Sequence, residues 1–329
     1  MRILIIRLSA LGDVAMTVPA IYSLARQYPH LRIEVLTRLS FAQLFADKPS
    51  NIHLIKADFK GKHKGWAGMY RLLKELKSLK PDYVADLHNV LRSWIIDVFF
   101  ILTGKKVVMV DKQRTGRRKV LHGKRRQPNF VNRYADVFSR LGFPINLDFR
   151  SVFGNSRPTA AIPIQHPAIG IAPFARYRNK TYPVEKMRQV AELLAKDGFN
   201  IYLFGGGTKE IGILDRWQND IAHCTSLAGK FSLSDELSLM NDMDVMITMD
   251  SANQHLASTV GTKVLTIWGS TTPACGFLGY GQKEENGICL NLPCQPCSIG
   301  GSEKCKRYDL ACLHQIAAER IVTKVKQLI

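Results

Sequence analysis

Long apolar runs are missing from this 329-residue chain. The most apolar stretch, Trp94 to Thr103, is interrupted by Asp97 and reaches about half of the roughly 20 residues that a spanning helix needs, so it reads as a buried helix. The opening run Ile3 to Ile6 is too short for the core of a secretory leader, and no small-residue cleavage site follows it, which argues against export. No low-complexity tract or short-period repeat is present, so a disordered tail or a solenoid is excluded. Acidic side chains are scarce: 27 Asp and Glu face 46 Lys and Arg, a formal net charge of +19. Such an excess favours anionic partners, whether nucleic acid, an acidic membrane surface or a phosphorylated ligand. Nucleic acid fits least, because aromatic residues do not interleave with the basic runs as a stacking platform requires.

What is present is globular in character, with 46% hydrophobic and 22% charged residues. The length exceeds a usual single core and suggests two domains of about 150 residues each. Arg2 to Ile6 reads as a buried strand, followed by a short turn and helical spacing from Val14 to Gln27. Strands at 33–36, 83–87 and 107–110 with a helix at 72–79 continue the alternation, which implies a parallel sheet. The segment Asn155 to Pro167 holds Pro158, Pro163 and Pro167 without a sustained period and reads as a linker. The pattern then restarts, with strands at 168–172, 200–204, 245–248 and 265–268 and a helix at 184–196. The expectation is two Rossmann-like α/β domains, 1–157 and 158–329, with ligands at the carboxyl ends of the strands.

Several polar residues fall at those ends. Asp13 follows the first strand at the start of a helix, where it serves either as a cap or as a general base removing a proton from an attacking sugar hydroxyl. Lys180, in the run Arg178 to Pro183 after a strand, is either a solvated charge or a phosphate clamp. Asp250-Ser251-Ala252-Asn253-Gln254-His255 forms a polar strand-to-helix turn whose backbone N–H groups can cradle a diphosphate. Gly269-Ser270-Thr271-Thr272-Pro273 offers hydroxyls after the next strand, and Glu210 beyond the glycine run at 205–207 is a ribose acceptor candidate. His88 and His255 each read as a satisfied core histidine or as a functional group. Asp242-Met243-Asp244 precedes its strand, at the wrong end for the ligand, and reads as a solvated turn.

Arg7 to Val14, Lys180-Thr181-Tyr182-Pro183, and Asp250 to His255 through Thr271-Thr272-Pro273 together resemble the ADP-heptose lipopolysaccharide heptosyltransferases, glycosyltransferase family 9. Asp86-Leu87-His88 with Leu91-Arg92-Ser93, and Leu227-Ala228-Gly229, extend the likeness over nearly the whole chain. The resemblance implies an α/β GT-B fold with an N-terminal acceptor domain and a C-terminal donor domain. It implies an inverting transfer of heptose from ADP-heptose to the lipid A-linked inner core, with no required cofactor and no catalytic metal. Asp13 would be the base and Lys180 would hold the leaving diphosphate. Arg176, Glu210, Asp250, Ser251, Ala252, His255, Thr271 and Thr272 would contact the donor. Arg7, Lys60, Lys62, Lys64, Arg92, Arg114, Arg117 and Arg118 would meet the anionic acceptor. The chain would act as a monomer in the cytoplasm, peripheral on the inner membrane. It departs from the family where Tyr182 replaces a usual Trp, Ala252 a usual Gly, and Ala175-Arg176 a frequent Ser or Thr. Two alternatives stay open: transfer of another nucleotide-activated sugar in cell-surface glycan synthesis, or a sugar-nucleotide epimerase, which would need acid and base groups on both faces of the sugar.

Of the 7 cysteines, Cys294, Cys297, Cys305 and Cys312 raise a structural zinc as the weaker reading, since the second pair is spaced too widely for the usual ligand hairpin. Reduced thiols are the stronger one.

Overall fold

The computed structural model describes residues 1–154, 156 and 158–329; the first residue of the expected linker, Asn155, and the domain boundary at residue 157 lie outside the described residues. The chain forms two compact units, one comprising Met1–Arg114 and Phe130–Gly154, the other Thr115–Asn129 and Asn155–Ile329.

The first unit runs β1 (Arg2–Ile6), α1 (Leu11–Ala15), α2 (Val18–Gln27), β2 (Arg32–Arg38), β3 (Ile52–Ala57), α3 (Gly65–Ser78), β4 (Tyr83–Asp86), α4 (Leu91–Leu102) and β5 (Lys106–Met109). After α5 (Arg117–Leu121), which belongs to the second unit, α6 (Phe130–Leu141) returns to complete the first. Its five strands lie in the order β3-β2-β1-β4-β5, every pairing parallel. One face carries Met69, Leu72 and Leu76 of α3 and Ile96 and Phe100 of α4 on a cluster with Leu4, Ile6 and Val84. On β4 and β5 packs α6, which also meets α2.

The single helix expected over 14–27 is two. Thr17 turns its hydroxyl back onto the Val14 carbonyl (2.7 Å), and Pro19, with no N–H to give, sits in the first turn of α2. The helix expected to be buried between Trp94 and Thr103 is α4, and only one side of it is buried: Ser93, Ile96, Asp97 and Phe100 face inward, whereas Trp94, Val98, Ile101 and Leu102 are exposed. Apolar content alone led to that expectation; the sheet offers α4 just one face to cover.

The second unit runs β6 (Ala168–Ala172), α7 (Val184–Lys196), β7 (Asn200–Leu203), α8 (Thr208–Asp220), β8 (Cys224–Ser226), α9 (Leu233–Asn241), β9 (Val245–Met249), α10 (Ala252–Thr259), β10 (Val264–Ile267), α11 (Ala311–His314) and α12 (Ala318–Leu328). Its strands lie in the order β10-β9-β6-β7-β8, again all parallel. β6 and β9 are buried throughout, as strands covered on both faces must be. Both units are thus doubly wound α/β sheets, as the strand–helix alternation predicts.

Candidate active site

In the first unit the strand order reverses between β1 and β4, and ligands of open α/β sheets collect at the carboxyl ends beside such a switch. Asp13 is there, at the third position of α1, accepting a hydrogen bond from the Ala10 N–H (3.1 Å). Its side chain remains 31% exposed, so capping and solvent access coexist. Arg7 is the anchor beneath it. Its guanidinium is buried, 2.8 Å from the Asp13 carboxylate, and donates to the Leu87 carbonyl at 2.5 Å. Arg7, one of the acceptor candidates, is buried and committed to these partners.

The β4 loop completes this corner. Asp86, fully buried, accepts from the backbone N–H groups of His88 (2.7 Å) and Asn89 (2.9 Å) and from the Ser93 hydroxyl (2.7 Å). His88 Nε2 lies 3.2 Å from Ser9 Oγ. Burial, with the charges of Arg7 and Lys112, pushes the His88 imidazole down to about 3, so it is neutral at physiological pH. Lys112, three residues beyond β5, is pushed down to about 8 by burial and by the charges of Arg7 and Arg114. Its amine feels Asp13 and Asp86 as well, which places it among the rim charges of this corner. The sequence shows Lys112 only as one member of a basic run.

The remaining basic candidates spread along the same rim. Lys60, Lys62 and Lys64 follow β3, two strands from β1 and so about 10 Å along the sheet. Asp58 organises that loop by accepting from the Lys60 and Gly61 N–H groups, and Lys62 pairs with Glu75 at 2.7 Å. Arg92, at the start of α4, lies over the Phe59 ring at 4.5 Å. Arg114 reaches the Asn89 carbonyl at 3.5 Å. Arg117 and Arg118 are exposed on α5, in the second unit rather than with the other acceptor candidates.

The second unit switches strand order between β6 and β9, and there three loops converge. Lys180, closing a 3-10 turn (Arg178–Lys180) after β6, holds its ammonium 2.8 Å from the carboxylate of Asp250, which follows β9. Thr271, after β10, donates its hydroxyl to the same Asp250 oxygen at 2.5 Å. Ser251 caps α10, Ala252 begins it and His255 is buried one turn on. The hydroxyls of Ser251 and Ser270 are buried without a hydrogen-bond partner among the described residues. Thr272 is buried ahead of Pro273. Arg176 is exposed in the Lys180 loop, stacked 5.3 Å from the Tyr177 ring centre. One strand over, Glu210 in the first turn of α8 accepts from the Gly206 N–H (2.9 Å) and so shapes the glycine loop after β7.

Two supports of this corner are not evident in the sequence. Asn179, buried beside Lys180, accepts the Ser270 N–H on its carbonyl (2.8 Å) and the Ser302 N–H on its side chain (2.8 Å). Gly269 permits that approach: a Cβ there would sit 2.4 Å from the Asn179 carbonyl oxygen. The cysteine-rich segment buttresses the other side, with Gln295 donating to the Gly269 carbonyl (2.7 Å) and the Cys297 N–H to the Ser270 carbonyl (2.9 Å).

A model of glycosyltransferase family 9 (heptosyltransferase) matches residues 69–306. The chain belongs to glycosyltransferase family 9. Lipopolysaccharide heptosyltransferase 1 of Pseudomonas aeruginosa is 25% identical over 321 residues, 90% of this chain and 86% of that protein. Lipooligosaccharide heptosyltransferase 2 of Haemophilus influenzae is 25% identical over 293 residues, 83% of this chain and 84% of the relative. Among solved structures, an Escherichia coli heptosyltransferase with ADP aligns at a TM-score of 0.72 and 20% identity over 100% of both chains. A family 9 protein from Veillonella parvula aligns at 0.73 and 19% identity, covering 99% of this chain and 96% of its own. The fold is therefore GT-B, and the chain is a glycosyltransferase.

Tyr182 does not leave its polar atom idle, since the buried hydroxyl donates to the Ile316 carbonyl at 2.8 Å. Zinc at Cys294, Cys297, Cys305 and Cys312 finds no support. The four thiols line one small pocket, yet among the described residues no group of three or more His, Cys, Asp or Glu is arranged to hold a metal ion. Burial, with the three neighbouring thiols, pushes Cys312 up to about 12, which keeps it a protonated thiol.

Proposed function

We propose that this family 9 enzyme transfers heptose from ADP-heptose to the lipid A-linked inner core of lipopolysaccharide, with inversion at the anomeric carbon. The observation that carries the reading is Lys180 fixed by Asp250 at the β6/β9 switch, which leaves the ammonium N–H groups not given to Asp250 for a diphosphate beside the start of α10. The relatives named as lipopolysaccharide heptosyltransferases supply the sugar and the acceptor.

In this mechanism the acceptor hydroxyl gives its proton to Asp13 as its oxygen attacks the anomeric carbon. The bond to the diphosphate breaks on the opposite face, and ADP leaves with the electron pair. Lys180 directs one N–H to Asp250 and keeps two for the diphosphate. The N–H groups at the start of α10, with Ser251, Ala252 and Thr272, add donors, and His255 and Asp250 flank the sugar. Glu210 takes the ribose and Arg176 closes the seat from the loop after β6. Lys60, Lys62, Lys64, Arg92, Arg114 and Lys112 hold the anionic acceptor, with Arg117 and Arg118 contributing from α5. The first unit is the acceptor domain and the second the donor domain. Lysine and backbone donors supply the positive charge, so the reaction as written calls for no cofactor. The enzyme works as a monomer, peripheral on the cytoplasmic face of the inner membrane.

The test combines ADP-heptose with a heptose-free lipid core and reads a mass gain of one heptose. Asp13→Ala should bind ADP-heptose as the wild type does while turnover falls on the order of 10²–10⁴-fold. Retained turnover refutes the base. Conversion of the donor without acceptor refutes transfer in favour of epimerisation, and activity confined to another nucleotide sugar refutes the donor.

A further inference from the structure

The outer faces of α3 and α4 carry large apolar side chains that none of the described residues covers. Leu102 is 81% exposed, Leu91 74%, Trp66 83% and Tyr70 72%, with Val98 and Ile101 about half exposed between them. The spacing is helical: 91, 98 and 102 on α4, and 66 and 70 on α3, lie opposite the stripes that meet the sheet. Between the two helix starts a groove runs over Phe59, Met69 and Ile95. A contiguous apolar face of this kind on a water-exposed surface marks an interaction site.

Its border is cationic. Lys60, Lys62 and Lys64 precede α3, Arg71, Lys74 and Lys77 are exposed along it, and Lys105 and Lys106 follow α4. The nearby acids are already engaged: Glu75 pairs with Lys62 and His63, Asp58 holds backbone N–H groups, and Asp97 is buried. A second copy of the chain seated symmetrically on this face would bring lysines against lysines. An acidic protein would match the collar but not the protruding Trp and Leu.

The geometry points to a bilayer containing anionic phospholipid as the occupant, with Trp66, Leu91 and Leu102 entering the interface and the lysine collar on the headgroups. Aromatic and aliphatic residues on one side with Lys and Arg beside them are the pattern of interfacial binding, and each cation near such a surface strengthens partition about fivefold. The inference deepens the membrane contact proposed above by naming the face. It is read without donor or acceptor, so its failure leaves the transferase assignment standing.

The experiment is cosedimentation of the full chain with vesicles of phosphatidylcholine alone, or mixed three to one with phosphatidylglycerol. The wild type should bind the anionic vesicles at least tenfold more tightly, and less so in high salt. Trp66→Ser combined with Leu102→Ser, and separately Lys105→Glu combined with Lys106→Glu, should each weaken binding by tenfold or more while retaining the wild-type circular dichroism spectrum. Equal binding by the wild type and both variants overturns the assignment. So does a wild type that ignores vesicles but self-associates with concentration, reversed by the Trp66 and Leu102 changes, since that result gives the face to a second copy.

Discussion

Replacing Asp97 by asparagine should change how the first unit's stability depends on pH. Asp97 is 1% exposed on the inner side of α4, beside the fully buried Asp86. Ionised, it would be a buried charge without a donor, since neither of its oxygens has a hydrogen-bond partner among the described residues. Burial first, then the charge of Asp86, raises its carboxyl from 3.8 to about 9, and the retained proton can be donated to Asp86. Below about pH 4 both folded and unfolded chains carry that proton and the linkage contributes nothing. Between there and about 9 only the folded chain keeps it, so stability falls by about 1.4 kcal/mol per pH unit as pH rises, and the loss is complete above the folded value.

The amide in Asp97→Asn would preserve the shape and a donor toward Asp86 but take up no proton. The stability gap between Asp97→Asn and wild type should therefore grow in the variant's favour by about 1.4 kcal/mol per unit between about pH 5 and 8, whatever constant offset the amide adds. Urea titrations across that range, read by peptide-level hydrogen exchange in β1 and β4, follow the first unit alone. A gap independent of pH, or one that narrows as pH rises, refutes a neutral Asp97.

Other consequences are more local. Lys180→Met should weaken ADP binding at least tenfold by calorimetry, and should destabilise the second unit by about 3 kcal/mol because Asp250 loses its buried partner; unchanged ADP affinity refutes the diphosphate seat. Gly269→Ala forces the loop away from the Asn179 carbonyl, so thermal unfolding should show a loss of about 1–3 kcal/mol together with weaker stabilisation by ADP. Tyr182→Phe leaves the Ile316 carbonyl only the longer contact with the Lys186 ammonium (3.5 Å) and should reduce stability by about 1 kcal/mol in chemical denaturation, with turnover at low temperature nearly unchanged.

The sequence reveals the elements whose environment is uniform. β1 and β6 are apolar at nearly every position because helices cover both faces, and their limits are legible to the residue. β3 is less so: His53 and Lys56 interrupt the apolar pattern on a half-covered edge strand, and β8 is only three residues long. The polar turns after β6, β9 and β10 are each visible as turns, but that Lys180 and Thr271 share one oxygen of Asp250 depends on strand order, which no local pattern encodes. The depth of Arg7, which the family resemblance sets among the acceptor contacts, is illegible for a similar reason, since only the assembled sheet places it below the surface. Asn179 and Gln295 leave no signal because they support the loops through backbone atoms, which any sequence supplies.

The two working corners follow one physical plan with the charges exchanged. In the first unit the buried member of the pair is the cation Arg7 and the more exposed member is the anion Asp13; in the second the buried member is the anion Asp250 and the more exposed member the cation Lys180. Neither pair is a strong source of stability, because withdrawing two charges from water offsets most of their attraction. What burial of one partner does provide is direction: Arg7 is held by the Leu87 carbonyl, and Asp250 by Thr271. Each exposed partner is then fixed at the carboxyl end of its sheet before any substrate arrives. In the proposed reaction Asp13 must meet a proton and the Lys180 ammonium a departing diphosphate, and a preset charge needs no reorganisation at that moment. On this account the anchors matter as much as the groups that touch substrate, and a change at Arg7 that spares the fold should depress turnover through Asp13 while leaving donor affinity intact.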